Sequence, residues 1–430
     1  LCLELQSGEY QLKEIFDYLY SLRNQGSSFG IERMELLLGK LRSDLLSFPV
    51  IHVAGTNGKG STCAMLDAIY QANGYSVGLF SSPHLVDLGE RVRINGKILS
   101  DEKVFRHIKQ LRSIAEEIEQ ENPGMHPSFF EMITAVAFCE FAEEKVDVAV
   151  LETGLGGRLD STNVVAPEVS VITTISLDHC HILGNTIEKI AREKAGIIKE
   201  GVPVVTGWLA ESANHLVQEI ALEKKAPFFT LAKESAKENL PITNLKGEHQ
   251  QRNAALAVKV TQILQQKFPV KEINVKQGLN QVKLDGRWQI IQDEPLIILD
   301  ACHNEEGARV LGKQLEELPN EKELVVWFGS LGEDRAKEIL SEIVKFADEI
   351  RFFKPDQPRA CSLDTLRTLI SPNFKGKVKN GERSETKSYL KEIKSGQILL
   401  ITGSIYLLGE IIEIVKNRKK ILGSSFQDIL

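Results

Sequence analysis

Short apolar runs alternate with amphipathic stretches along nearly the whole chain. Within each run the apolar residues are continuous rather than alternating with polar ones, which is typical of parallel strands covered by helices on both faces. The pattern therefore predicts an α/β fold. The clearest strand-like runs cover residues 49–54, 76–82, 146–152, 169–176, 202–206, 295–300, 324–329, 348–353 and 398–402.

The alternation is interrupted between residues 283 and 294, where charged residues, glycine and proline replace apolar ones. A chain of 430 residues is also longer than one typical hydrophobic core. We therefore predict two α/β domains, residues 1–285 and residues 286–430, with a cleft between them.

Composition narrows the class of protein. Apolar residues make up 42% of the chain and charged residues 26%, which is ordinary for a globular protein. A net charge of −7 argues against a nucleic-acid surface, which needs a basic excess. No apolar run reaches the roughly 18 to 20 residues of a membrane span, and no signal peptide is evident. The six cysteines are scattered without a Cys-x-x-Cys pair. We expect free thiols, a cytoplasmic location and a monomer.

The segment Val53-Ala-Gly-Thr-Asn-Gly-Lys-Gly-Ser-Thr62 joins an apolar run to a helical one. A glycine-rich turn before a helix exposes backbone N–H groups, and the helix dipole adds about half a positive charge there. Lys59 adds a full charge, and Ser61 or Thr62 supplies a hydroxyl near a phosphate-bound Mg²⁺. The segment predicts a nucleoside triphosphate site, although Val53 and Gly60 depart from the standard P-loop pattern. An ordinary strand-to-helix turn is the alternative.

Other polar residues follow the ends of predicted strands. Lys59 follows the first strand, Ser82 the second, Glu152 the third and His179 the fourth, while Asp300 ends the first strand of the second domain. In open parallel sheets, ligands bind beyond the carboxyl ends of the strands. The sequence therefore predicts that these side chains converge on one site.

Each of these residues also has a structural explanation. Glu152 either holds Mg²⁺, which prefers oxygen ligands, or caps a helix. Ser82 belongs to a ligand set or, because Pro83 follows it, to a plain turn. His179 is a metal ligand or a hydrogen-bonded structural residue. Asp300 accepts hydrogen bonds from a ribose or caps the next helix.

Two residues of the second half have similar alternatives. His303 faces the cleft or lies exposed on the surface. Arg287 lies in the presumed linker, where its guanidinium group either reaches a nucleotide bound between the domains or has no such role.

Lys194 lies on the apolar face of a predicted helix, in register with Ile187, Ile190, Ala191 and Ile198. Burial of a lysine depresses its pKa, by roughly 3–5 units at most. A neutral amine takes up CO₂ to become a carbamate, an anion able to approach Mg²⁺. The alternative, which periodicity alone favours, is a packed side-chain stem with its ammonium group in solvent.

Taken together, these segments resemble the folylpolyglutamate synthase/dihydrofolate synthase family, within the wider Mur ligase group of ATP-dependent amide-forming enzymes. The matching segments come in the family's order and cover nearly the whole chain. The resemblance implies an N-terminal P-loop-type parallel-sheet ATPase domain and a smaller C-terminal Rossmann-like α/β domain. The segments are Gly55-Thr-Asn-Gly-Lys-Gly-Ser61, Ser81-Ser-Pro-His-Leu85, Glu90-Arg-Val-Arg93, Phe130-Glu-Met-Ile-Thr134, Glu152-Thr-Gly-Leu-Gly-Gly-Arg-Leu-Asp160, Leu177-Asp-His179, Leu183-Gly184, Glu193-Lys-Ala-Gly-Ile197, Gln251-Arg-Asn-Ala-Ala255, Asp300 with His303-Asn304, and Thr402-Gly-Ser-Ile-Tyr406.

The resemblance also implies roles for individual residues toward ATP and two Mg²⁺ sites. ATP phosphates would bind at Asn57, Gly58, Lys59, Gly60 and Ser61, and the rest of the nucleotide at Asn253, Arg287 and Asp300. Magnesium would be held by Ser82, Glu152 and His179. Lys194 would be the carbamylated lysine beside the second metal, which reverses the interpretation from periodicity.

The implied substrates are L-glutamate together with dihydropteroate, a reduced folate, or both, and the sequence does not decide among these. Lys59, His179, Lys194 and His303 would act in catalysis. The substrates would be bordered by Ser82, Pro83, Gly156, Gly157, Arg158, Asp160, His303 and Ser404.

Two segments depart from the family pattern. Asp300-Ala-Cys-His-Asn-Glu305 replaces Asp-Gly-Ala-His-Asn-Pro, and Glu333-Asp-Arg335 replaces Asp-Lys-Asp. No role is carried onto the second. A cell-wall ligase of the same superfamily is one rival, which Gly60-Ser61 and the loop 155–160 disfavour. A P-loop protein that binds ATP without forming a bond is the other, and it leaves the convergence of Glu152, His179 and Lys194 unexplained.

Overall fold

The described residues form two β-sheets, one in each half of the chain. The computed structural model describes residues 13–22, 30–41, 44–231, 240–319 and 321–415. In the first half the strands are β1 Val50–Ala54, β2 Val77–Phe80, β3 Val92–Ile94, β4 Lys97–Ile98, β5 Val148–Glu152, β6 Val169–Ile172, β7 Val204–Thr206 and β8 Phe228–Thr230. In the second half they are β9 Gln289–Asp293, β10 Leu296–Asp300, β11 Glu323–Phe328, β12 Glu349–Phe352, β13 Lys377–Asn380 and β14 Gln397–Thr402.

The first sheet has eight strands in the order β4-β3-β2-β5-β1-β6-β7-β8. Strands β2, β5, β1, β6, β7 and β8 run parallel, whereas β3 and β4 form an antiparallel edge. Val53 of β1 is in register with Glu152 of β5. The glycine-rich turn after β1 therefore begins beside the carboxylate that ends β5.

Helices cover both faces of the first sheet. One core cluster includes Phe138 and Ile108, and a second, on the other face, includes Met65 and Leu256. Residues 13–21 are also helical. The other α-helices of this half are Glu32–Gly39, Lys59–Ala72, Asp101–Glu121, Phe129–Glu143, Cys180–Leu183, Ile187–Ala195, Glu211–Glu223, Glu248–Ile263 and Glu272–Leu279, with 3₁₀ turns at Leu88–Arg91 and Ser161–Val164.

The second sheet has six strands in the order β13-β12-β11-β14-β10-β9. All of its pairings are parallel except that of β9 with β10. Asp300 at the end of β10 is in register with Thr402 at the end of β14. The helices of this half are Glu305–Glu316, Glu333–Ile343, Leu363–Thr368, Thr386–Glu392 and Ile405–Val415, with a 3₁₀ turn at Arg383–Glu385.

The predicted two-domain α/β fold with mainly parallel sheets is confirmed. Each predicted apolar run contains a strand, whereas β3, β4, β8, β9 and β13 were missed. All five lie at or beside a sheet edge, where polar and exposed residues weaken the pattern. The exact boundary at residues 285 and 286 stays a prediction. In the part of the chain that the structure describes, no helix combines the length and apolarity that crossing a membrane requires.

Candidate active site

A cavity of about 580 Å³ lies between the two domains, beyond the carboxyl ends of strands from both sheets. The strands thus deliver residues from distant parts of the sequence to one space. The predicted site residues that line it are Asn57, Gly58, Lys59, Gly60, Ser61, Ser82, Pro83, Glu152, Gly156, Asp160, His179, Lys194, Asn253, Arg287, Asp300, His303 and Ser404.

Gly58 immediately precedes the helix Lys59–Ala72, at a position that has no room for a side chain. Its φ is +83°, and a Cβ atom would lie 2.5 Å from Oδ1 of Asn253. No side chain caps this helix, so its first N–H groups face the cavity. Nζ of Lys59 donates a hydrogen bond to the carbonyl oxygen of Gly55 at 3.1 Å. This arrangement is a suitable cradle for an anion such as a phosphate.

Glu152 is a buried carboxylate without a cationic partner in the described part of the chain. The residue is 4% exposed, and its Oε2 accepts a hydrogen bond from the backbone N–H of Ser82 at 3.2 Å. No described residue forms an ion pair with it. Burial raises the pKa of Glu152, while the charges of Lys59 and Arg287 oppose the increase. A carboxylate in this state gains most from a bound cation.

His179 presents a neutral imidazole to the same cavity. Its backbone φ is +49°, and its buried Nδ1 has no hydrogen-bond partner among the described residues. Burial lowers its pKa to about 4, against the opposing charge of Asp178. An unprotonated ring nitrogen, the Glu152 carboxylate and the Ser82 hydroxyl form a donor set that fits a divalent cation.

Lys194 is enclosed by the protein. It is 3% exposed and donates from Nζ to the carbonyl oxygen of Gly55 at 2.7 Å. Burial, and then the charge of Lys59, lower its pKa to about 7. The interpretation from periodicity, a stem packed on the helix with its ammonium group in solvent, is therefore wrong.

The second domain supplies the opposite wall. Asp300 accepts hydrogen bonds from the backbone N–H groups of Trp288 at 2.9 Å and Cys302 at 3.0 Å. Burial raises its pKa, and the charge of Arg287 opposes this. Nδ1 of His303 lies 2.9 Å from the carbonyl oxygen of Ala301. Asp300 does not cap the following helix, because Asn304 takes that position.

Two predicted substrate residues do not line the cavity. Arg158 is half exposed and pairs with Glu193 at 2.9 Å. Gly157 packs against the backbone of residues 193 and 194, so that a Cβ atom would lie 2.8 Å from the carbonyl oxygen of Lys194. The loop turns these two residues toward the helix Ile187–Ala195, and their roles toward the substrate stay predictions.

Asp160 lines the cavity but also shapes its own loop. Its Oδ2 accepts from the backbone N–H of Leu155 at 2.9 Å, and its Oδ1 accepts from the N–H and hydroxyl of Thr162. These bonds fix the turn that follows Glu152.

The sequence interpretation assigned no role to several cavity residues. Phe129 and Phe130 line one end, and the Phe130 ring packs where a Cβ atom of Gly154 would lie. The segment Phe130-Glu-Met-Ile-Thr134 was the available signal. Asp178, Glu306 and Arg335 were also missed. Burial would raise the pKa of Asp178, but the charges of His179, His303 and Arg335 lower it to about 2.

Comparison with known proteins agrees with this geometry. Residues 53–275 match the Mur ligase middle domain, and residues 286–405 match the Mur ligase glutamate ligase domain. The chain is 36% identical over 406 residues to the dihydrofolate synthase/folylpolyglutamate synthase of Bacillus subtilis (strain 168), covering 89% of this chain and 94% of the relative. The chain belongs to the dihydrofolate synthase/folylpolyglutamate synthase family. The predicted family is confirmed, and with it an ATP-dependent ligase.

Solved structures of this family have the same fold. Escherichia coli FolC in complex with DHPP and ADP superimposes with a TM-score of 0.83 at 30% identity, covering 95% of this chain and 98% of FolC. The bifunctional folylpolyglutamate synthase/dihydrofolate synthase of Yersinia pestis, complexed with AMPPNP and Mn ion, gives a TM-score of 0.80 at 29% identity, covering 94% and 98%. The likeness extends over both domains.

Proposed function

We propose that this ligase joins L-glutamate to dihydropteroate, to a reduced folate, or to both, and that the interdomain cavity is its active site. The observation that carries the proposal is the convergence in one cavity of the glycine-rich loop, Glu152 and Lys194 with Asp300 and His303 of the other domain. The E. coli complex with DHPP and ADP supports a pterin acceptor and a nucleotide in the same enzyme.

The first-domain wall binds the phosphates of ATP. Asn57 to Ser61 provide N–H donors, and Lys59 neutralises charge on the transferring phosphoryl group. Asn253, which lies against Gly58, contacts the adenine, and Arg287 with Asp300 completes the nucleotide site.

Ser82, Glu152 and His179 would hold Mg²⁺, and the Mn ion in the Y. pestis relative supports a divalent cation. The cation would offset negative charge on the phosphates of ATP. The lowered pKa of Lys194 favours carbamylation, which would make it an anion beside a second cation.

The reaction has two steps. A carboxylate oxygen of the pterin substrate attacks the γ-phosphate of ATP, which releases ADP and leaves an acyl phosphate. The glutamate amine, positioned by His303 and Ser404, then attacks the acyl carbon and phosphate leaves. Ser82, Pro83, Gly156 and Asp160 border the pterin. Enclosure between the domains keeps water from the acyl phosphate.

A mass-resolved assay tests the proposal. Purified protein receives glutamate and MgATP with dihydropteroate and tetrahydrofolate side by side, and ADP and each glutamylated product are measured. We expect one ADP for each amide formed with at least one acceptor. ADP release that needs neither acceptor nor glutamate would refute the function.

We also propose that the protein is monomeric and cytoplasmic. Size-exclusion chromatography with light scattering tests the first, and cell fractionation tests the second.

A further inference from the structure

Side chains from both domains meet across the cavity in a group that we call the interdomain clasp. Its contacts join protein side chains to one another, so binding of the substrates alone does not explain them. The clasp consists of Asn57, Ser176 and Asp178 of the first domain and Asn304, Glu306 and Arg335 of the second.

The clasp is reciprocal, because each domain offers a carboxylate that the other domain binds. Oε2 of Glu306 accepts from Nδ2 of Asn57 at 2.5 Å and from the hydroxyl of Ser176 at 2.9 Å. In the opposite direction, Asp178 accepts from Nη2 of Arg335 at 2.8 Å and from Nδ2 of Asn304 at 3.4 Å. Hydrogen bonds to charged groups are stronger than neutral ones, so these contacts fix the relative position of the domains.

Asn57 connects the clasp to the glycine-rich loop. Its backbone is held within the first domain, where its N–H donates to Thr174 at 3.0 Å and its carbonyl oxygen accepts from Thr173 at 2.6 Å. Its side chain contacts the second domain. Nδ2 donates to Glu306, and Oδ1 accepts from Nδ2 of Asn304 at 2.9 Å. Loss of Glu306 would therefore leave the Asn57 side chain with Asn304 as its interdomain partner, without unfolding the loop.

Asn304 begins the helix that carries Glu306. It caps the helix Glu305–Glu316 and accepts from the N–H of Gly307 at 2.9 Å. Glu306 lies in the first turn of that helix, where the dipole stabilises a negative charge. The helix thus stabilises the charged form of the carboxylate that accepts hydrogen bonds from the first domain.

We propose that Glu306 is a positioning residue that keeps the two domains closed around the acyl phosphate, acting through Asn57 and Ser176. This inference rests on the proposed function. If the clasp loosens, water reaches the acyl phosphate, attacks it in place of the glutamate amine, and regenerates the carboxylate with release of phosphate. ATP is then consumed without formation of an amide.

The ratio of ADP to amide product is therefore the decisive readout. Glu306→Ala removes the acceptor, whereas Glu306→Gln keeps an oxygen that accepts both hydrogen bonds. Glu305→Ala is the matched control, since Glu305 is an exposed acid in the same helical turn and pairs with Arg309 of its own helix. Ser176→Ala removes one donor from the other domain.

The experiment uses the full chain with glutamate, MgATP and an acceptor that the wild type uses. For Glu306→Ala we expect an amide-forming kcat about tenfold lower and an ADP-to-amide ratio well above one. The KM for ATP should change less than about twofold, because the loop backbone keeps its partners. Ser176→Ala should shift the ratio the same way by less, while Glu306→Gln and Glu305→Ala stay near one.

A ratio of one in both Glu306→Ala and Ser176→Ala would overturn the proposal, as would an equal rise in Glu305→Ala. A merely destabilised variant loses ADP and amide formation together and keeps the ratio at one, so thermal melting is recorded for each variant. Failure of the proposed function gives a different result: the wild type forms no amide with any acceptor, and both proposals fall together.

Discussion

Two buried glutamates in the first domain have opposite surroundings. Glu140, on the helix Phe129–Glu143, has a fully buried side chain that contacts Lys103 at 2.6 Å and His107 at 2.8 Å. Arg106 lies 3.5 Å from it. Glu152, in the cavity, is also buried but has only a backbone N–H of Ser82 as a partner among the described residues.

The pKa values diverge accordingly. Burial would raise the pKa of Glu140, but hydrogen bonds from His107 and Lys103 lower it to about 2. For Glu152 burial prevails and the pKa rises. The protein pairs the first carboxylate with cationic side chains, whereas the second has no ion-pair partner among the described residues.

The clustering of possible metal ligands points to a region outside the cavity. Within the described ranges, the group of His, Cys, Asp and Glu whose ligand atoms lie within 4.8 Å of one another is His107, Glu140 and Glu143. Its carboxylates already pair with Lys103 and Arg106. A missing partner is therefore a better indicator of a functional carboxylate than the number of acids nearby.

The substitution Glu152→Gln is the strongest test of the difference between the two glutamates. We expect the amide-forming kcat to fall roughly 10²–10³-fold, because the cavity loses its cation-binding charge. The melting temperature should stay the same or rise, since an unpaired buried charge is removed. Steady-state kinetics and thermal melting measure the two effects. Wild-type turnover in this variant would contradict the assignment.

Lys194 allows a similar test of a buried lysine side chain in the cavity. For Lys194→Arg, which keeps a charge but forms no carbamate, we expect a kcat roughly 10²-fold lower. Wild-type activity should increase with added bicarbonate, more above pH 7 than below it, because the amine is neutral above its pKa of about 7. Kinetics with and without bicarbonate test this, with intact-mass detection of bound CO₂. Equal bicarbonate responses in both proteins would exclude the carbamate.

Glu140→Gln should show the reverse of Glu152→Gln. We expect the free energy of unfolding to fall by about 2 kcal/mol, with kcat unchanged, because a buried acceptor for Lys103 and His107 loses its charge. The folded-state pKa of about 2 lies below the ordinary 4.5. The contribution of Glu140 to stability is thus present above pH 4.5 and disappears toward pH 2.

Urea unfolding at several pH values measures this effect. The wild type should lose stability over that acidic interval more steeply than the variant. Parallel pH curves for the two proteins would show that the ion pairs contribute nothing.

Arg158→Ala is expected to have the smallest effect. Its ion pair with Glu193 lies outside the cavity and is half exposed, so stability should change by less than about 0.5 kcal/mol. The KM for the pterin acceptor should stay within about twofold of wild type. Steady-state kinetics over a range of acceptor concentrations check this. A large increase in KM would restore the original assignment of Arg158 to the substrate.

Local patterns predicted the parts of the fold that are buried on both faces. Continuous apolar runs identified β1 and β5, and the polar residues at their ends marked the cavity. The same criterion missed β9, which is exposed over most of its length. An edge strand has no second covered face to impose an apolar sequence.

The remaining errors concern orientation and contacts between domains. Periodicity placed Lys194 on the apolar face but favoured an amine in solvent, because the pattern of one helix does not show what packs over it. Arg158 was assigned to the cavity because it shares a loop with Gly156, although Glu193 draws it outward. The contact of Glu306 with Asn57 depends on how two separately folded sheets meet, which no local pattern encodes.

Cation binding tests the contrast between Glu152 and Glu140 without requiring turnover. Mn²⁺ is titrated into wild type, Glu152→Gln and Glu140→Gln in the presence of a non-hydrolysable ATP analogue, and binding is followed by electron paramagnetic resonance. We expect equal affinity in wild type and Glu140→Gln and a loss of at least roughly tenfold in Glu152→Gln. Undiminished Mn²⁺ affinity in Glu152→Gln, or a loss confined to Glu140→Gln, would contradict the account.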